Sequence, residues 1–138
     1  MYILDTNVVS ELRKTKKADQ RVKEWIQPLP AESLYLSAIT ILELEIGILL
    51  IEQRDRKQGA VLRAWMDKHV LPAFDGRVLA IDTSVAQRCA ALHVPNPQSD
   101  RDALIAATAL VHGMTVATRN VSDFRRMGVS IVDPWQAA

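Results

Sequence analysis

Met1-Tyr2-Ile3-Leu4-Asp5-Thr6-Asn7 decides how the rest of the chain is read. A run of apolar residues meets a carboxylate, two small polar residues follow, and Val8-Val9-Ser10-Glu11-Leu12 resumes the apolar pattern. That is the signature of a short buried strand turning into a helix. Asp5 then stands at the carboxyl end of a central strand. In open α/β sheets that edge forms a crevice into which helix N-termini point, and ligands bind there. Groups that converge on Asp5 should therefore follow other strands or lie on helices facing the same edge.

Downstream, the pattern predicts helices over 8–14, with Thr6 or Asn7 as cap, and over 19–27, ended by Pro28 and Pro30. A strand over 34–36 precedes a helix that Ser37 caps and that runs from 38 to about 54, apolar nearly all round. The polar run 53–58 carries it out to solvent. A further helix over 59–70 ends near Pro72, and Asp75-Gly76 marks a tight turn into a strand over 78–81. Asp82-Thr83-Ser84 caps a helix over 85–93, and a helix over 102–112 stops at Gly113. A strand over 114–118, a helical turn over 121–127 and a strand over 129–132 complete the chain. Strands alternating with helices at this spacing predict a parallel sheet with helices on both faces. No repeat or linker divides residues 1–138, so one domain is expected.

Composition narrows the function. The 138 residues suffice to bury about two-thirds of the unfolded surface without disulfides. A net charge of +1 supplies no global field toward nucleic acid or membrane. Six cations against three acids over 11–27 read as a solvated helical face, with an anionic partner as the lesser reading. Cys89, the one cysteine, excludes an internal disulfide, fits a reducing compartment and sits in an apolar pattern that marks it as core. The apolar stretch 38–51 is too short to span a bilayer and carries Glu43 and Glu45. With a strand starting at Met1 there is no room for a secretory leader, so a soluble cytoplasmic protein without membrane contact is expected. His69, His93 and His112 lack zinc-ligand spacing, and Ser10 and Ser37 have no histidine nearby to activate them. Trp25, Trp65 and Trp135 form no base-stacking series and read as core or interface.

Four acids stand out. On the helix after Ser37, Thr40, Glu43, Leu44 and Gly47 fall within about a 100° arc, so Glu43 shares a face with a hydroxyl and a glycine. Glu45, on a more apolar part of the same helix, is its competitor. Asp102 opens Asp102-Ala103-Leu104-Ile105-Ala106-Ala107-Thr108-Ala109. Helix capping alone would explain it, but Asp100 can already cap, and the small residues allow tight packing that aims Asp102 at the crevice. Asp123 follows the strand ending at Thr118 in Arg119-Asn120-Val121-Ser122-Asp123-Phe124. Asp82 and Asp133 also follow strands but lack such polar flanks and read as a cap and a turn. Together Asp5, Glu43, Asp102 and Asp123 would repel one another unless neutralised. A hard cation, Mg²⁺ or Mn²⁺, with oxygen ligands and waters resolves this, and Thr6, Asn7, Thr118 and Asn120 would orient the carboxylates and water around it. Carboxylate-held metal beside a phosphodiester implies hydrolysis.

Four segments in order carry a resemblance: Ile3-Leu4-Asp5-Thr6-Asn7-Val8-Val9-Ser10-Glu11, Ser37-x-x-Thr40-x-x-Glu43-Leu44-x-x-Gly47, Asp102 to Ala109, and Ala117-Thr118-Arg119-Asn120-x-x-Asp123-Phe124. The chain resembles the PIN-domain ribonucleases, in particular VapC toxins of bacterial type II toxin-antitoxin pairs, in their FitB-like branch. The resemblance implies a three-layer PIN-like fold with a central, mostly parallel sheet of about five strands. It also implies that Asp5, Glu43, Asp102 and Asp123 are the catalytic, metal-holding quartet, with Asp5 and Asp102 foremost as ligands and Asp100 as an outer extra. Endonucleolytic RNA cleavage, homodimerisation and inhibition by a cognate VapB-like antitoxin follow from the same likeness. Arg119, Arg125 and Arg126 are the cations expected to hold the RNA backbone. Two rivals remain. A haloacid dehalogenase-like phosphatase would require a second acid where Asn7 stands. A catalytically silent binding protein would keep the fold and the acids without the chemistry.

Overall fold

The computed structural model of the protein describes residues 1–136. Its centre is a sheet of five parallel strands: β1 (Tyr2–Leu4), β2 (Leu34–Ser37), β3 (Val78–Leu79), β4 (Thr115–Ala117) and β5 (Ile131–Val132), in the order β3-β2-β1-β4-β5. The chain lays down β1, β2 and β3 toward one edge, then returns past β1 to add β4 and β5 toward the other. The order reverses between β1 and β4, and at such a switch point the connections leave in opposite directions and open a crevice.

Alternation along each strand builds a core on either side. Ile3 and Val116 face one layer, with α6 (Thr83–Leu92), α7 (Asp100–His112) and α8 (Val121–Arg125). Leu4 and Ala117 face the other, with α1 (Thr6–Arg13), α2 (Gln20–Ile26), α3 (Ala38–Arg54) and α4 (Arg56–Trp65). The small residues Ala103, Ala106, Ala107 and Ala109 are fully buried, which lets α7 sit tight on the sheet as its composition predicts. Cys89 is buried in that layer.

Several expected boundaries shift, each for a local reason. The first helix starts at Thr6 rather than Val8, because its cap is Asp5, not Thr6 or Asn7: Asp5 Oδ1 accepts the Thr6 N–H at 2.8 Å. The polar run at 53–58 is exposed, as expected, and is helical on either side of Asp55. Only Asp55 separates α3 from α4, its side chain accepting the Gln58 N–H at 3.1 Å. Gly59 then crosses α3 so closely that a Cβ would lie 2.7 Å from the Glu52 Cα. The helical run ends near Pro72 as expected, at Ala73. A π-helical turn over Met66–Val70 leads into α5 (Leu71–Ala73), and this wider turn accommodates a residue that has no N–H. Ser99 precedes α7 in the capping position, so Asp100 lies in the first turn and not at the cap. The strands at 78–81, 114–118 and 129–132 are shorter than their apolar runs. No helix among the described residues is long and apolar enough to cross a membrane.

Candidate active site

Asp5 leaves β1 at the switch point with only 4% of its surface exposed. Its backbone N–H still belongs to the sheet, donating to the Ala117 carbonyl at 2.9 Å, so β4 fixes where the side chain begins. The carboxylate is then held from both sides. Oδ1 accepts the Thr6 N–H at 2.8 Å, and Oδ2 accepts the Thr118 hydroxyl at 2.7 Å and the Asn7 amide at 3.4 Å. The Thr118 oxygen itself accepts the Asn120 N–H at 2.9 Å, which leaves its own hydrogen free for Asp5. Asn7 ties the two strand ends together, its Oδ1 accepting the Arg119 N–H at 3.3 Å. Asn120 thus enters through its main chain.

Glu43 reaches the same edge from α3, one turn after the fully buried Thr40. Its Oε1 accepts the Thr6 hydroxyl at 2.8 Å, so of Glu43 and Glu45 it is Glu43 that reaches the neighbour of Asp5. Glu45 turns away and pairs with Arg63 at 2.9 Å. Asp102 comes from the first turn of α7, and with Asp123 on α8 it lines a cleft of about 190 Å³ that Arg126 also borders.

The four carboxylates are near enough for their charges to act on one another. Burial pushes the Asp5 carboxyl above its ordinary range against the bonds from Thr118 and Thr6, and the charges of Glu43 and Asp123 push it further. Asp102 is pushed up to about 6, first by burial and then by Asp5, Asp123 and Glu43. The acids do not form a closed cage: among the described residues no three His, Cys, Asp or Glu side chains are grouped to hold an ion unaided. Mg²⁺ asks for less than that, since it keeps several waters and binds through one or two carboxylates plus substrate phosphate. Oxygen-only donors, mutual repulsion and two carboxyls pushed above their ordinary range by burial and by their neighbours make this a place a hard divalent cation fits.

The three expected phosphate-binding arginines part company. Arg126 borders the acidic cleft, Arg125 lines a separate cavity with Asp133 and Gln136, and Arg119 lies over the Trp135 ring at 4.9 Å. Asp82 and Asp133 serve as expected, accepting the Val85 and Trp135 N–H groups at 2.9 Å each. One residue beside the acids was missed in the sequence. Arg101 places Nη1 3.7 Å from Glu43 Oε2. Its signal was a cation in the first turn of a helix, between two acids, where the helix dipole disfavours it.

Known proteins agree with this architecture. The PIN domain model matches residues 2–129. The VapC ribonuclease Y4jK of Sinorhizobium fredii is 40% identical over the full length of both chains. Toxin FitB of Neisseria gonorrhoeae is 37% identical over 98% of this chain and 99% of its own. The crystal structure of FitAcB from Neisseria gonorrhoeae superposes with a TM-score of 0.91, at 37% identity, covering 99% of this chain and 100% of that one. With a family model spanning nearly the whole sequence, and relatives alike from end to end, this chain belongs to the PIN domain family.

Proposed function

We propose that the chain is a single-domain, Mg²⁺-dependent endoribonuclease toxin that hydrolyses RNA phosphodiester bonds in the cytoplasm and is held in check by a cognate VapB-like antitoxin. The observation that supports the reading is the gathering of acids far apart in sequence at the sheet's switch point: Glu43 accepts the Thr6 hydroxyl beside Asp5, and Asp102 and Asp123 line one cleft. The ribonuclease Y4jK and the toxin FitB, both alike over nearly their full lengths, support the activity and the toxin role.

In this reading Asp5 and Asp102 are the principal ligands, with Glu43 and Asp123 completing the negative rim. A bound Mg²⁺ or Mn²⁺ would supply charge to the scissile phosphate and lower the pKa of an attacking water. The chain's own residues do the positioning. Thr118 and Thr6 hold the Asp5 carboxylate from both sides, so it would be oriented for an ion before one binds. The Thr6 hydroxyl fixes Glu43 with one oxygen bonded and the other turned toward Arg101. Arg126 borders the acidic cleft and would hold an RNA phosphate there, whereas Arg119 and Arg125 would engage backbone farther out. A homodimer is proposed on the family likeness alone.

The test is cleavage of single-stranded RNA in Mg²⁺ or Mn²⁺, in EDTA, and with Asp5→Asn. Metal-dependent cleavage that Asp5→Asn abolishes is expected. Cleavage that survives EDTA or Asp5→Asn would remove the metal-centre reading. RNA binding with no cleavage in any metal would favour the silent binding protein.

A further inference from the structure

Arg101 occupies the second position of α7, and half of its side chain is exposed. Helix energetics do not account for it. The free amides and the dipole at a helix N-terminus favour acids, which Asp100 and Asp102 supply, and a cation in the same turn opposes them. Its partner lies across the notch on another helix: Nη1 stands 3.7 Å from Glu43 Oε2, while the second oxygen of Glu43 is taken by Thr6. Among the described residues no other basic side chain forms an ion pair with any of the four acids. Arg101 therefore supplies, at one corner, the positive charge that the cluster requires.

Comparison with Arg63, which also pairs with glutamates of α3, shows how loosely Arg101 is held. Arg63 contacts Glu45 at 2.9 and 3.0 Å and has Glu52 and Asp67 within 3.8 Å. It is fixed on several sides. Arg101 has one partner, beyond hydrogen-bond distance, on a half-exposed arm.

We propose that Arg101 is a phosphate clamp released by the metal: it neutralises Glu43 while no ion is bound, competes with the ion for that carboxylate, and once displaced grips an RNA phosphate at the notch. The inference rests on the nuclease reading above. A planar guanidinium suits both tasks, because its fork pairs with a carboxylate or with two oxygens of one phosphate. Lysine could supply the charge but not the paired contact. Competition also gives the free enzyme a default state in which its acids are partly neutralised from within.

The experiment uses the full chain as wild type, Arg101→Ala and Arg101→Lys, with two readouts. The first is Mn²⁺ affinity without RNA, from paramagnetic resonance titration. Arg101→Ala should bind the ion about threefold to fivefold more tightly, as loss of one partly exposed ion pair implies, and Arg101→Lys should resemble wild type. The second is steady-state cleavage of single-stranded RNA. Here KM should rise about tenfold in both variants with kcat within about threefold, because the phosphate contact is lost while the ion site stays complete. Unchanged Mn²⁺ affinity in Arg101→Ala, or an unchanged KM, overturns the proposal and leaves a working nuclease. A wild-type chain that binds Mn²⁺ but cleaves no RNA overturns the nuclease reading instead, and the phosphate role with it.

Discussion

Asp5 and Asp82 begin as the same motif and end with different properties. Each follows a strand, each precedes a helix, and each carboxylate accepts a backbone N–H from the helix it caps, at 2.8 and 2.9 Å. Asp82 stops there: it follows the outer strand β3 and is exposed. Asp5 ends the central strand β1, with β4 beside it, so the Thr118 hydroxyl reaches its second oxygen and three other acids add their fields. Capping and a role in the acidic notch are therefore not alternatives. What separates them is the position of the strand in the sheet.

The contrast breaks most sharply under mutation. Asp5→Asn keeps the size of the side chain and removes its charge, so RNA cleavage should fall by about a thousandfold or more with the fold retained. Asp82→Asn should leave cleavage within about twofold and alter only stability, by about 1 kcal/mol at most, since asparagine also caps. Equal losses of cleavage in the two variants would erase the distinction.

Glu43→Gln and Glu45→Gln repeat the test one helix away. Glu43→Gln should lower cleavage by about a hundredfold through loss of charge in the notch, and Glu45→Gln should change it less than about twofold. The Arg63 pair lost with Glu45 is partly exposed and should cost about 0.5 kcal/mol in chemical denaturation.

Thr118→Val probes the neighbour that makes the centre differ from the edge. It removes the 2.7 Å bond to Asp5 with little change of volume, so cleavage should drop about tenfold and metal affinity by a similar factor. Thr118→Ser should recover most of both. A Val variant with wild-type metal affinity would show that Asp5 does not depend on this bond.

The smallest expected effect is on stability without metal. Asp102 has an ordinary value of 3.8 and is pushed up to about 6 in the folded protein, so the folded state holds its proton more tightly than the unfolded chain does. Its contribution is fully present below pH 3.8 and is lost as pH rises through 6; Asp5 shifts in the same direction. In EDTA the melting temperature should carry a component that falls between about pH 4 and 6.5, and Mg²⁺ should remove it above pH 6. Asp102→Asn should flatten that component, and Asp82→Asn should not. An EDTA profile that Asp102→Asn leaves unchanged would mean that the repulsion is screened by solvent.

Much of this was legible in the chain because the relevant signals are local. The switch from apolar strand to polar turn at Leu4-Asp5-Thr6 placed Asp5, and the alanines of α7 announced close packing on the sheet. Helix limits were less legible where a side chain or a close contact sets them. Asp5 capping its own helix, Gly59 crossing Glu52, and the π-helical turn before Pro72 each depend on geometry that a hydrophobic pattern does not encode.

By itself, then, the sequence determined the alternation of strands and helices, the apolar faces and the acids that end or flank them, since side-chain chemistry and the periods of strand and helix act over a few residues. The tertiary structure alone decided that β4 lies against β1, that Thr118 therefore meets Asp5, that Glu43 and not Glu45 faces them, and that Arg101 spans the notch. These contacts join residues 37 to 113 positions apart, and only the packing of the whole sheet brings them together.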